Sequence, residues 1–410
     1  MLDPEPLIIV GSSARAAAQS AARAGFRPWC IDQFGDRDLA EISDSVSMIT
    51  DWPNEIESVF EQSPQADWIY TGALENHPAL VDRLSQKRPL CGCNFETLSK
   101  LRDPIWLADS LTKVSLPSLP VVLSGSVVPN SGEWVIKPLA SAAGIGVLDW
   151  ANERTNVLDV QNHYLQRKAR GRVISGLYLG VENSAQLIGL CEQRCRGPEA
   201  GENRYIYSGS LGPLSTADVS SDVFEQARKT GSAIETAIRA EGAELRGLFG
   251  IDFVLDDESN ELWTLEINPR YTASAEIYER AFGWPIMKWH VDACRKPGNP
   301  KRERGISQSL TNKTNPSLTL RVANGLTDGT DSSSKHGKLI VYARRDFSAP
   351  DIVPLVEHLK SRITVADLPQ IGTSIHKDEP VCTLLTEQPS LAECRSVLDS
   401  SADALLSLPG

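Results

Sequence analysis

No apolar run in the 410-residue chain approaches the roughly 18 residues of a membrane-spanning helix. Basic residues are in deficit, 41 Lys and Arg against 53 Asp and Glu. The resulting net charge of −12 argues against a nucleic-acid or an anionic-membrane partner. Eight cysteines are present, yet none forms a Cys-x-x-Cys pair, so a zinc or iron–sulfur site has little support. The closest thiols are Cys91 with Cys93 and Cys191 with Cys195, and in a chain of this size reduced cytoplasmic thiols are expected rather than a disulfide scaffold. The six histidines match no metal spacing, and no Ser/His/Asp or Cys/His nucleophile arrangement is visible. A dinucleotide fingerprint is missing as well. Gly11 follows a first strand and Asp32 ends a second, but Ser12, Ser13, Ala14, Arg15 and Ala16 stand where further glycines belong. The acidic start, MLDPEPLIIVG, runs straight into a strand and is not expected to be a signal peptide.

What is present fits a globular enzyme of two or three domains, with 23% charged and 41% apolar residues. Residues 7 to 97 alternate strands (7–10, 29–32, 67–71) with helices (an alanine-rich one capped by Ser12 or Ser13 and stopped at Gly25, then 53–62 and 77–86). This implies an open, mostly parallel sheet. Residues 98 to 130 read as a helix and a proline-rich connection. Strands follow at 134–138, 146–150, 164–169, 172–182, 185–194 and 204–209, then a long helix with apolar positions at 223, 227, 234 and 238. Residues 296–316 read as a linker and 324–337 as a mobile surface loop. The segment from 338 onward reads as a small β-rich module with a helix near 351–361.

The segment 248–270, LFGIDFVLDDESNELWTLEINPR, is the most informative. It reads as two strands around the polar turn Asp257 to Glu261, pairing Asp252 with Glu266. Alternation then puts Asp252, Glu266 and Asn268 on one face, and Phe253, Leu255, Trp263, Leu265 and Ile267 on the core face. Like charges placed opposite each other repel, so a cation is the natural occupant, against the competing reading of a solvated acidic face. Hard oxygen ligands suit Mg²⁺, which typically takes one or two carboxylates and completes its sphere with substrate phosphates. Arg270 adds a cation beside a stiff Asn-Pro turn.

A second constellation precedes it. The strand 134–138 ends in Lys137-Pro138, and a loop of small residues follows, Ser141, Ala142, Ala143, Gly144, Ile145 and Gly146. A lysine there can place its ammonium on phosphate oxygens, and small residues let backbone N–H groups approach a polyphosphate. The stretch Tyr164 to Ala169, with Gln166, Arg167 and Lys168, could offer backbone groups to an adenine edge, with Gln166 near the ribose or base. Arg194, Arg196 and Arg204 could clamp a substrate carboxylate, with Gly197 to Gly201 as a lid and Ala273, Ser274 and Glu276 lining the same pocket. Glu75 and Asn76, after the strand at 67–71, are further substrate candidates, because open α/β sheets bind ligands at the carboxyl ends of their strands.

Taken together, WVIKPLASAAGIGV, YLQRKARG, GIDFVLD and LEINPR resemble the ATP-grasp superfamily over roughly residues 1 to 295. The resemblance implies an α/β and α+β architecture. A Rossmann-like N-terminal domain (1–97) would precede a two-lobed ATP-grasp domain (98–295), a linker and mobile loop (296–337), and the C-terminal module (338–410). It further implies ATP-dependent joining of a carboxylate to an amine through an acyl phosphate, with release of ADP and phosphate. By position, Lys137 should bind the α/β-phosphates, the backbone of 141–146 should close over the β/γ-phosphates, and Asp252, Glu266 and Asn268 should hold two Mg²⁺, or Mn²⁺ in its place. Arg270 should stabilise the transferred phosphoryl group. Members usually carry an early lysine beside an aspartate; here Leu98 to Pro104 offers Lys100 or Arg102. The C-terminal segment resembles ATP-grasp proteins that accompany tetrahydromethanopterin- and methanofuran-linked one-carbon metabolism, which implies glutamate ligation to a tyrosine- or tyramine-type precursor. Small-molecule acids and amines are the expected partners, and a homodimer the expected assembly. The competing readings are a biotin-carboxylase-like enzyme using bicarbonate and a non-catalytic ATP-binding protein.

Overall fold

Leu7 to Val10 are four consecutive apolar residues with no exposed surface, the signature of an inner strand of a parallel sheet. The computed structural model describes residues 4–123, 133–150, 162–181, 183–295, 334–352 and 361–407. Its first part contains β1 (Pro6–Val10), α1 (Arg15–Arg23), β2 (Arg27–Asp32), α2 (Arg37–Ala40), β3 (Ser45–Met48), α3 (Ile56–Glu61), β4 (Asp67–Tyr70) and α4 (Pro78–Lys87). The strands form a parallel sheet in the order β3-β2-β1-β4, as the alternation predicts.

The start of α1 differs from expectation. Neither Ser12 nor Ser13 caps it. The N-cap is Ala14, whose N–H donates to Asp32 Oδ2 at 2.7 Å, while Asp32 Oδ1 accepts from Phe34 and Gly35. Asp32 is therefore spent on closing the backbone around the end of β2, which accounts for an acid at that spacing without a dinucleotide.

Two helices, α5 (Phe95–Leu101) and α6 (Pro104–Thr112), occupy the start of the segment expected to hold one. Asn94 caps the first, and Asp103 caps the second with Pro104 in its first turn, so Arg102 lies on the sharp corner between them. A small antiparallel sheet of β5 (Val121–Leu123), β6 (Trp134–Pro138), β7 (Leu148–Asp149) and β8 (His163–Arg167) has the order β5-β8-β6-β7.

The larger lobe is built on β9 (Arg172–Val181), β10 (Ser184–Cys195), β11 (Tyr207–Gly212), α7 (Ser221–Ala240), β12 (Gly247–Leu255), β13 (Leu262–Asn268), α8 (Ala275–Phe282) and α9 (Ile286–Cys294). Val223, Ala227, Ile234 and Ile238 form the buried stripe of α7, as their spacing predicts. The predicted strand at 204–209 begins only at Tyr207. One apolar cluster runs from Ile8 and Trp68 of the first sheet to Tyr178 and Phe249 of the second, so the N-terminal sheet and the central sheet share a core.

The last strands are β14 (Lys335–Tyr342), β15 (Phe347–Ser348), β16 (Thr364–Ala366), β17 (Ser374–Ile375) and β18 (Pro380–Gln388), followed by α10 (Leu391–Leu406). Of these β14, β18 and β16 extend the central sheet, whose order is β13-β12-β9-β10-β11-β14-β18-β16, and β15 pairs with β17 in a separate two-stranded sheet. Lys335 to Gly337, expected in a mobile loop, lie in β14 beside β11. The expected linker 296–316, and nearly all of the helix expected near 351–361, lie outside the described residues.

Residues 367–370 bind back onto the β2–α2 loop and α2, beside the N-terminal sheet. Asp38 accepts from the N–H groups of Asp367 and Leu368, Arg37 N–H donates to Leu368 O at 2.8 Å, and Gln370 donates to Gly35 O. Beneath this contact the fully buried Arg15 pairs with Asp367 at 2.7 Å and with Glu276, which also accepts from Lys338 at 2.7 Å.

Candidate active site

The acidic hairpin forms in the predicted register, with Asp252 opposite Glu266. A β-bulge interrupts it immediately afterwards, Phe253 pairing with Thr264, so Leu265 is the extra residue. The shift reverses the faces beyond that point. Leu262 and Thr264 are buried behind the strand, whereas Trp263 and Leu265, expected in the core, are only partly buried, and Leu265 lines the cleft beside Glu266.

On the cleft face Asp252 accepts from Gln193 Nε2 at 2.6 Å and from Asn268 Nδ2 at 2.8 Å. Burial, and then the neighbouring Glu266 charge, push its carboxyl up to about 7. Glu266 moves the other way, held low first by the Lys137 ammonium and then also by Arg102 and Arg270. The Glu266 side chain is 34% exposed, open to a ligand, and Lys137 Nζ lies 3.0 Å from its Oε2. Burial works against the Lys137 charge, but Glu266 and the Tyr164 phenol outweigh it and keep the group above the ordinary lysine value. Gln166 accepts from Lys137 at 3.4 Å and donates to Leu265 O, which joins the small sheet to the hairpin across the cleft.

Lys137, Pro138, Ser141, Gly144 and Val147 line one wall of this cleft. Leu101, Arg102 and Leu107 line a second, and Leu265 with Glu266 the floor, around a cavity of about 40 Å³. The small-residue loop needs its glycines. Gly144 and Gly146 both have φ of +76°, and a Cβ on Gly144 would sit 2.2 Å from Tyr205 O. Ala143 O accepts from Tyr207 N–H at 2.9 Å, so the loop is seated on the start of β11.

Among the two early cations, Lys100 pairs with Glu241 on the surface. Arg102 faces the cleft, one terminal nitrogen donating to Asn76 Oδ1, Ser141 O and Leu139 O. Arg270 is partly buried, with Nε 2.6 Å from Glu75 Oε1 and a terminal nitrogen 3.2 Å from Asn268 Oδ1. Glu75 and Asn76 therefore touch the two arginines that approach Glu266.

Other sequence candidates fall outside this group. Arg194 pairs with Asp399 of α10, Arg196 with Asp378 while stacking 4.7 Å over Tyr342, and Arg204 with Asp149. Lys168 also meets Asp149, at 2.8 Å. The N–H groups of Arg167 and Lys168 are spent on Pro120 O and Glu133 O. Glu276 is committed to Arg15 and Lys338, which outweigh burial and hold its carboxyl far below the usual range; Ser274 is buried and bonded to Thr272. The site contributor missed from sequence is Gln193. Alternation along β10 carries the signal, since Gln193 must face away from its neighbours Arg194 and Glu192.

Among the described residues no group of three or more His, Cys, Asp and Glu side chains is placed to hold a metal. Two carboxylates and an amide oxygen nevertheless fit Mg²⁺, whose remaining ligands come from waters and phosphates.

Comparison with known proteins speaks to the family and the fold. Residues 106–274 match the family model described as ATP-grasp domain. The chain carries an ATP-grasp domain, and the fold around it is the ATP-grasp fold. A curated relative, the arginine-specific large chain of carbamoyl phosphate synthase from Halalkalibacterium halodurans, is 37% identical over 68 residues, which is 17% of this chain and only 6% of that protein. Among solved structures, the L-amino acid ligase from Bacillus licheniformis has a TM-score of 0.66 at 13% identity, covering 98% of both chains. An N5-carboxyaminoimidazole ribonucleotide synthetase in complex with ADP scores 0.67 at 12% identity, covering 98% of this chain and 97% of that one. The biotin carboxylase domain dimer of Hydrogenobacter thermophilus 2-oxoglutarate carboxylase, holding MgADP and bicarbonate, scores 0.63 at 13% identity, covering 97% and 90%. At these identities the structural likeness speaks to the fold alone.

Proposed function

We propose that the protein is an ATP-dependent ligase that joins a carboxylic acid to an amine. The observation that carries this reading is the Lys137–Glu266 contact of 3.0 Å, which brings the lysine-led loop and the acidic hairpin onto one cleft. In the proposed reaction a substrate carboxylate oxygen attacks the γ-phosphorus of ATP, ADP leaves, and the amine then displaces phosphate from the acyl carbon. Lys137 would exchange Glu266 for phosphate oxygens as nucleotide enters, and the backbone of 141–146 would cover the phosphate chain. Leu101, Leu107 and Leu265 give the cleft an apolar stretch suited to a base. Arg102 and Arg270 would meet the charge that develops on the transferred group. Asp252, Glu266 and Asn268 would hold Mg²⁺, two ions in this reading with Mn²⁺ an acceptable substitute, and the metal would neutralise phosphate charge.

A bicarbonate-using reaction is the second reading, and it differs in requiring bicarbonate and a biotinyl acceptor in place of an organic acid and an amine. The finer assignment, glutamate ligation in the making of a methanofuran-like cofactor, is supported by the sequence likeness of the C-terminal segment. A test is direct. Incubation with Mg-ATP and panels of acids and amines should give ADP and phosphate only when an acid is present, and hydroxylamine should trap an acyl hydroxamate. AMP as product would refute the mechanism.

A further inference from the structure

Consecutive residues of the N-terminal sheet's last connection each hold one of the two arginines whose charges act on Glu266. Glu75 takes Arg270 through its Nε at 2.6 Å, and Asn76 takes Arg102 through a terminal nitrogen at 2.8 Å. One turn earlier, the Tyr70 hydroxyl donates to Pro269 O at 3.0 Å. We propose that the short turn Leu74–Asn76 is a positioning element for both arginines, so that the N-terminal domain sets the cations that meet the phosphate chain. The proposal rests on the ligase reading above.

Three features favour positioning over simple structural pairing. Glu75 grips Arg270 at Nε only, not in the two-pronged mode usual for a guanidinium–carboxylate pair. One terminal nitrogen stays on the opposite edge, 3.2 Å from Asn268 Oδ1, while the other donates to Tyr271 O. Glu75 is completely buried, yet its Oε2 has no hydrogen-bond partner. A pair kept for stability alone would satisfy both oxygens, because an orphaned buried acceptor is costly. Finally, Ala73 holds φ at +79°, a left-handed conformation uncommon outside glycine, at the start of the short turn that carries Glu75 and Asn76. Arg102 shows the same economy. A single nitrogen carries all three of its bonds, and its Nε is unpartnered.

The two contacts give separable signatures. Glu75→Gln removes the charge that orients Arg270, which acts on the transferred group, so kcat should fall about 100-fold while KM for ATP stays within about twofold. Glu75→Asp should recover part of that loss. Asn76→Ala releases Arg102 from the phosphate side, so MgATP binding measured by calorimetry should weaken about fivefold, the loss of one hydrogen bond. Wild-type protein is assayed first. Without acid-dependent ADP release or hydroxamate the ligase reading fails, and the calorimetric comparison alone then decides the positioning role. If Glu75→Gln does not fold, Asn76→Ala again decides it. A folded Glu75→Gln with wild-type kcat, or an Asn76→Ala protein that binds MgATP as tightly as the wild type, overturns the proposal.

Discussion

Glu266 answers to three cations, Lys137, Arg102 and Arg270, and to one competing acid, Asp252. That imbalance explains why the carboxylates divide. Glu266 stays ionised and Asp252 is pushed up to about 7, because burial and the ionised neighbour both oppose a second negative charge. Glu266→Ala should therefore cost about 10²- to 10³-fold in kcat by removing the carboxylate proposed to hold the metal. The loss of the Lys137 partner and the relief of the repulsion on Asp252 act in opposite directions on stability, so the urea midpoint should move little. Initial rates with saturating ATP, read beside the melt, check both halves. A variant turning over at the wild-type rate would remove Glu266 from the metal site. The pairing of Asp252 with Glu266 was legible from strand alternation about a polar turn. The choice of Arg102 over Lys100 was not, since Arg102 is 164 residues away along the chain and the corner that aims it depends on how α5 meets α6.

Among the elements, the bulge at Leu265 and the loop after β6 show where periodic reasoning stops. A single inserted residue turns Trp263 and Leu265 from the core to the cleft face, and an unaligned sequence carries no mark of such an insertion. In the loop, by contrast, the glycines announce themselves. Gly144 has no room for a methyl group against Tyr205 O and sits where L-residues are strained. Gly144→Ala should displace the loop from β11 and raise KM for ATP about 10-fold, with kcat at saturating ATP much less affected. Steady-state ATP titration tests this, and an unchanged KM would mean that the loop does not touch the phosphates. The arginines of the 194–204 segment were expected to act together. Separate acids, Asp399, Asp378 and Asp149, draw them apart.

Across the whole molecule, the contact of residues 367–370 with the β2–α2 loop and α2 encloses an excess of acids. Asp36 faces Asp367, Asp32, Asp38 and Arg15; burial first and then the three acids push its carboxyl up to about 8. An unfolded aspartate titrates near about 3.9. Between these values the folded state keeps a proton that the unfolded chain has released. This group's contribution to stability is thus fully present at acid pH, declines as pH rises from about 4 to about 8, and is flat above. Asp32 and Asp38 are also shifted upward and act in the same direction. The advantage of Asp36→Asn over the wild type in urea unfolding should grow by about 1 kcal/mol or more between pH 5 and pH 8. Parallel pH profiles for the two proteins would rule out Asp36 as the group responsible. No helix among the described residues is long and apolar enough to cross a membrane, in keeping with the short apolar runs of the sequence.

The sequence by itself determined the local chemistry: the acidic hairpin and its register, the lysine at the end of β6, the glycines of the following loop, and the alternation of the N-terminal sheet. Each is set by a period or a steric demand spanning a few residues. Tertiary structure alone decided which distant groups share the cleft. Placing Glu75 on Arg270, Asn76 on Arg102 and the C-terminal strands on β11 depends on packing between segments that are 26 to 195 residues apart. Such contacts arise from burying a common core, a cooperative property that no short window of sequence contains.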